Sequence, residues 1–394
     1  MNQSNVILES SCKQVREVKH ITKLLKFGFI GVPNKRQDLD SPSHHSSHST
    51  LSSSQSSLSL SLVLRHYLPL AGRLTWDPQD PKPCIVVSKD ETVSLTIAET
   101  NADFSVASGD GLRPAAELDP LVPELTVVSD GSATVLSLQI TLFQNQGFCI
   151  GITFHHAVLD GTTSTMFLKS WAHICSLQEH NKAMEISLLP DDLTPRFDRT
   201  VINVPSALEA EMMELLLYLS KDIGNLRSLK PPPKSETGGD IIPATFELTA
   251  ENTEKLREQV KARGGNGDRP VRFLYVADFR NRLEPQVPAG YFGNCVFPIG
   301  WFEYKATTFL EENGFVNAVE ILSDSVKGLG SLGIESLCKD YIDRMKKMKP
   351  DVQFITVTGS TRLGVYMLDF GWGRPAKTEA LAIEAFSMSE RRDE

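Results

Sequence analysis

Residues 135–156, VLSLQITLFQNQGFCIGITFHH, constrain the fold more than any other stretch of the chain. Two strand-like runs flank a polar turn at Gln144 to Gly147, the pattern of a β-hairpin. The second run alternates. Phe148, Ile150, Ile152 and Phe154 share one face, and His156 is the next position on it. Thr162 to Cys175 then reads as a helix with Phe167, Leu168, Trp171 and Cys175 as its buried stripe, capped by Asp160 or Thr162. Strand and helix therefore share one domain.

The other elements are equally mixed. CIVVSKDETVSLTIAE (84–99) reads as a second hairpin, ALEAEMMELLLYLSKDI (207–223) as a helix, and VRFLYVADFRNRL (271–283) as a buried strand. Two amphipathic helices follow, then FITVTGSTRLGVYMLDFGWGRP (354–375) with two short strands and a Gly/Trp loop. No regular βαβ repeat appears, which predicts two α/β domains with mixed sheets. We divide the chain into an atypical, partly disordered N-terminus (1–57), a first domain (58–186), a proline-bearing crossover (187–207) and a second domain (208–394).

A formal net charge of −9 argues against a broad nucleic-acid surface. No apolar run approaches the ~20 residues of a membrane span, and the N-terminus is a poor leader sequence. The six cysteines are scattered, without metal-ligand spacing, and read as reduced thiols of a cytosolic protein. GLGSLG (328–333) matches a dinucleotide fingerprint in letters only, because a helix precedes it instead of a strand. Nucleophile-elbow, phosphate-loop and zinc-hydrolase motifs are missing. Neither a metal nor a bound cofactor is expected.

FHHAVLDG (154–161) carries the chemistry. A partly desolvated His156 at the end of an apolar strand would stay neutral and act as a base. Asp160, four residues on, either orients the ring or turns away and braces the loop through an arginine. The same letters also fit a core histidine bonded to backbone, with Asp160 as a helix cap.

Three further motifs decide between these readings: PLAGRL (69–74), YFGNC (291–295) and DFGWG (369–373). In this order with HHAVLDG, the set resembles the plant BAHD acyl-CoA-dependent acyltransferases. YFGNC is similar to the clade that acylates anthocyanins and phenolic glucosides, often with malonyl-CoA. The resemblance implies two chloramphenicol-acetyltransferase-like domains with an active-site channel between them. It implies a monomer with acyl-CoA as co-substrate and a phenolic glycoside as acceptor, His156 as general base, and a ternary complex without an acyl-enzyme. We assign Asp160 to the catalytic motif, though chiefly as the partner of Arg280, with Arg282 as runner-up. Asp369, Gly371, Trp372 and Gly373 would shape the channel. Asn294 would position the donor or the oxyanion. Ser360, Thr361 and Arg362 would contact CoA.

The chain also departs from that family. Its first forty residues differ from the family's opening strand and helix. An apolar segment before VRFLYVADF and a final Gly-rich strand are lacking. The expectation is a shortened copy with exposed apolar surface, and the alternative reading is an inactive relative that at most binds CoA or a metabolite. A third reading, a condensation domain using a carrier-bound thioester, shares HHxxxDG but not DFGWG.

Overall fold

The computed structural model describes residues 2–7, 13–16, 24–31, 58–77, 79, 82–89, 91–109, 118–129, 131–179, 188–220, 229, 251, 255, 258, 270–330, 333–347, 353–357 and 361–383. Three sheets carry the described strands. The largest has six strands in the order β1 (Asn2–Ile7), β6 (Thr92–Thr100), β9 (Leu136–Phe143), β10 (Gly147–His155), β3 (Leu24–Gly31) and β14 (Lys377–Ile383). It is mixed: β6 and β9 run parallel, while the other neighbours are antiparallel. A five-stranded antiparallel sheet has the order β2 (Lys13–Arg16), β5 (Cys84–Val87), β4 (Arg73–Thr75), β8 (Ser132–Thr134) and β7 (Val127–Ser129). The third sheet places β11 (Pro270–Asp278) between an antiparallel β12 (Val296–Lys305) and a parallel β13 (Gln353–Val357).

The hairpin predicted at 135–156 is present as β9 and β10, with Asn145 at a left-handed φ of 55° in its turn. The hairpin expected at 84–99 is not formed. Strand β5 pairs with β2 and β4, whereas β6 pairs with β1 and β9 in another sheet. The polar turn between them is thus a connection between sheets. Similarly, among its described residues FITVTGSTRLGVYMLD supplies one strand, β13, and one-turn 3-10 helices at Thr361–Leu363 and Val365–Met367. Gly364 between those turns adopts a φ of 71°, which ends extended backbone.

Helices α1 (58–66) and α2 (Gly161–Glu179) belong to the first core. The predicted stripe of α2 is correct: Phe167, Leu168, Trp171 and Cys175 are all buried. Phe167 meets Phe154 of β10 and Tyr67 edge-on. Burying such side chains contributes about 1.5–3 kcal/mol each. The polar tips are accommodated, since the indole of Trp171 donates to the Ser59 hydroxyl at 3.0 Å. A second core joins α3 (Ser206–Ser220), β11, β12 and a later helix through Leu215, Leu274, Phe297 and Ile342.

Two features bear on the expected shortening. In α4 (Gly314–Gly328), Phe315, Val319, Leu322 and Val326 form an apolar stripe that stays exposed, Phe315 at 61%. The helix Ile334–Lys346, α5, buries its face instead through Cys338, Ile342 and Met345. At the other end, β14 returns to the first sheet and pairs with β3. Leu368 and Phe370 join the first core as well, so the C-terminal end of the chain packs with that core although it lies beyond the division at residue 208. The Ser-rich run at 34–57 lies outside the described residues, as does most of 221–269.

Candidate active site

The site is assembled where β10 ends and α2 begins. His155 is the last residue of β10, and the chain turns at 156–158 before α2 starts at Gly161. The alternation along β10 therefore stops one residue before His156, which lies half-buried in the turn. His155 is the buried histidine, 2% exposed, and the Ala157 N–H donates to its Nδ1 at 3.3 Å. An acceptor Nδ1 places the ring proton on Nε2. Burial, reinforced by the neighbouring charge of His156, pushes the His155 pKa down to about 4.

Asp160 is 1% exposed, and its carboxylate is fully engaged. Oδ1 caps α2 by accepting the Thr163 N–H at 3.0 Å. Oδ2 accepts the Cys295 N–H at 2.9 Å and lies 2.9 Å from Nη2 of Arg280. None of these partners is His156. These contacts brace the loop, the second of the two readings that the spacing of Asp160 allowed. Arg280 is its cation. The runner-up Arg282 is exposed and donates to the Asp278 carbonyl.

Arg280 is itself held by several groups. Nη1 lies 2.9 Å from the Asp278 carboxylate, and Nη2 donates to the Gly293 carbonyl at 2.7 Å. Burial lowers its pKa, but Asp160 and Asp278 outweigh that effect and raise it. The cation stays charged although it is nearly solvent-free.

YFGNC docks on the same loop. Thr163 Oγ1 donates to the Gly293 carbonyl at 3.0 Å. The amide nitrogen of Asn294 donates to the carbonyls of His156 and Ala157, at 2.8 and 3.2 Å. Both partners can only accept, so the amide orientation is determined by its surroundings. Both of its amide hydrogens are therefore directed at the His156 turn. Gly293 has a φ of 155°, and a Cβ there would fall 1.8 Å from Nη1 of Arg199. The positive φ favours glycine here, and a side chain would also have to displace the Arg199 guanidinium.

DFGWG closes the arrangement from the C-terminal side. Asp369 accepts the N–H groups of Gly371 and Gly373 at 2.8 and 2.9 Å, and both glycines have left-handed φ, 97° and 95°. Its aromatic residues dock on the first core. Phe370 meets Trp171 at 5.0 Å, and Trp372 meets Phe148 at 5.4 Å between ring centres. Nearby, Leu363 lies against Gly161 at the start of α2. Of the expected CoA contacts, Arg362 is exposed, Thr361 opens a 3-10 turn, and Ser360 lies outside the described residues.

The pairing of Asp160 with Arg280, expected from the sequence, is formed. Sequence reasoning missed Thr163, Asp278 and the Cys295 N–H, which complete the brace. Thr163 and Asp278 were findable, three residues after Asp160 and two before Arg280. A backbone donor leaves no signal.

Residues 41–387 match the Transferase family. An agmatine coumaroyltransferase of Arabidopsis thaliana is 50% identical, and phenolic glucoside malonyltransferase 2 of the same plant 49% identical. Each match covers 85% of this chain and 79% of the relative. The crystal structure of vinorine synthase superimposes with a TM-score of 0.62 at 19% identity, over 98% of this chain and 88% of that one.

Proposed function

The chain belongs to the BAHD acyltransferases of the Transferase family, and on that premise we propose that it moves a malonyl group from malonyl-CoA to a hydroxyl of a phenolic glucoside, with His156 as general base. The observation that carries this reading is the bracing of the His156 loop by Asp160 and Arg280 across the two halves of the chain. A loop fixed by a buried ion pair, a helix cap and backbone donors suits a side chain that must meet a substrate in one geometry. The name of the malonyltransferase relative supports the donor and acceptor classes.

His156 takes the proton of the acceptor hydroxyl as its oxygen attacks the thioester carbonyl. The tetrahedral oxyanion collapses, the carbon–sulfur bond breaks, and the imidazolium returns the proton to the CoA thiolate. No acyl-enzyme is required, because a thioester is already activated and both substrates are held together. Ser360, Thr361 and Arg362 are assigned to the CoA phosphates in this reading. Asp369, Gly371, Trp372 and Gly373 shape the channel wall. The protein acts as a cytosolic monomer.

A second reading replaces the donor with a coumaroyl thioester and the acceptor with an amine, favoured by the equally similar coumaroyltransferase. The deciding experiment measures thiol release from malonyl-CoA and coumaroyl-CoA, each with a panel of phenolic glucosides and with agmatine. Malonyl-CoA turnover that needs a glucoside, and drops by about 10²–10⁴ in His156→Ala, supports the proposal. Turnover only with coumaroyl-CoA and agmatine selects the second reading. A folded wild-type protein that releases no thiol from any pair is an inactive relative.

A further inference from the structure

We propose that Asn294 is a positioning residue for the base, its side-chain amide holding the main chain at His156 and Ala157 so that the imidazole is aimed only while the YFGNC turn is docked. This rests on His156 acting as the base. The two carbonyls that Asn294 binds belong to consecutive residues in a turn, outside the ladder of β10 and the first bonds of α2. A single NH2 group that binds both fixes the peptide planes on either side of the Ala157 Cα. His156 is thereby fixed in direction as well as place.

The turn that presents Asn294 is itself immobilised on both sides. Gly293 is bonded through its carbonyl to Arg280 and Thr163, and Cys295 through its N–H to Asp160. Asn294 is therefore a rigid strut between the halves of the chain. The arrangement has a cost, because its Oδ1 is buried without a hydrogen-bond partner among the described residues. An unmet buried acceptor forfeits its hydration without a replacement bond. A chain selected for stability alone gains little from that orphan. A chain that must aim a base gains a two-point clamp that few side chains supply. Lysine is too long, serine has one hydrogen, and a carboxylate repels both carbonyls.

The test uses the full chain with Asn294→Ala and Asn294→Asp. In Asn294→Ala, kcat falls about 10- to 100-fold while KM for acyl-CoA and acceptor stays within about twofold, the signature of lost aim rather than lost binding. Asn294→Asp has the same shape but donates only when protonated. Its kcat relative to wild type therefore rises as pH falls from about 8 to 6. His156, Asp160, Arg280 and Cys295 surround the position, and a new carboxylate beside His156 favours its protonated form, which by itself makes the ratio fall with falling pH, opposite to the effect of the clamp. Asn294→Ala with kcat within about threefold of wild type, or an Asn294→Asp ratio flat with pH, overturns the proposal. Should Asn294→Ala fail to fold, the isosteric Asn294→Asp carries the test. Histidine NMR separates this proposal from the acyltransferase reading. The His156 ring signal, sharp in wild type, broadens in Asn294→Ala if the clamp holds it, and an unchanged signal overturns the clamp even in a protein without turnover. An inactive wild type counts against the acyltransferase reading alone.

Discussion

Arg280 and Asp160 stand 2.9 Å apart, separated by 120 residues of chain, and both are almost wholly buried. The pair joins the end of β11 to the start of α2. An ion pair of this kind is poor insulation against unfolding on its own, because desolvating two charges offsets much of their attraction. Its partners change that balance. Thr163, Asp278, Gly293 and Cys295 supply further hydrogen bonds to both side chains, leaving Arg280 Nε without a partner among the described residues.

Breaking the pair one side at a time is expected to be severe. Asp160→Ala or Arg280→Ala alone leaves a buried charge without its main partner and costs about 3–5 kcal/mol. The double variant is expected to lose less than the sum, with a coupling of about 1–3 kcal/mol. Urea unfolding of the four proteins measures this, and strictly additive losses would refute the coupling.

His155 makes a prediction about acid. Its folded pKa, pushed to about 4, lies below the ordinary value of 6.5, so the folded protein binds fewer protons between the two. The contribution is fully present above about pH 6.5 and is lost as pH falls toward 4, roughly 3 kcal/mol in all. His155→Gln removes the titrating ring. Stability curves of both proteins from pH 7 to 4 are expected to converge toward acid, and parallel curves would exclude His155 as the source.

Asp369 holds the DFGWG loop through two N–H groups. Asp369→Ala is expected to cost about 1–2 kcal/mol, a modest figure because the carboxylate is exposed. Gly373→Ala forces a side chain into left-handed backbone and costs about 1–3 kcal/mol. Both changes loosen Trp372 from Phe148, which its fluorescence reports as a red shift. An unshifted spectrum in both variants would show that the loop is held by its aromatic contacts alone.

The apolar stripe of α4 behaves oppositely. Phe315→Glu and Leu322→Lys replace side chains that are 61% and 39% exposed. Such changes normally stay within about 0.5 kcal/mol. A thermal midpoint that drops by several degrees would mean that the stripe packs against something in solution.

How much of this was legible depended on range. The hairpin β9–β10 and the stripe of α2 are local patterns, and both are where the periodicity places them. The 84–99 segment has a local pattern just as clear, yet β5 and β6 part company because β4 and β9 compete for them across the chain. His156, Asp160 and Arg280 are legible as residue types in motifs. The job of Asn294 is not. An amide looks the same in sequence whether it faces a substrate or two carbonyls, and only the docking of YFGNC on the His156 turn decides it.

The return of β14 to β3 has a consequence for how the protein is made. Strand β3 (Leu24–Gly31) and β14 (Lys377–Ile383) are far apart in the chain, so the largest sheet gains β14 long after β3 has been synthesised. A ribosome-bound chain that stops short of β14 already has His156, Asp160 and Arg280, but holds β3 with one flank bare. Contacts of such long range form slowly and leave a strand edge open meanwhile. Closure of the sheet that carries the His156 strand therefore waits on synthesis of β14.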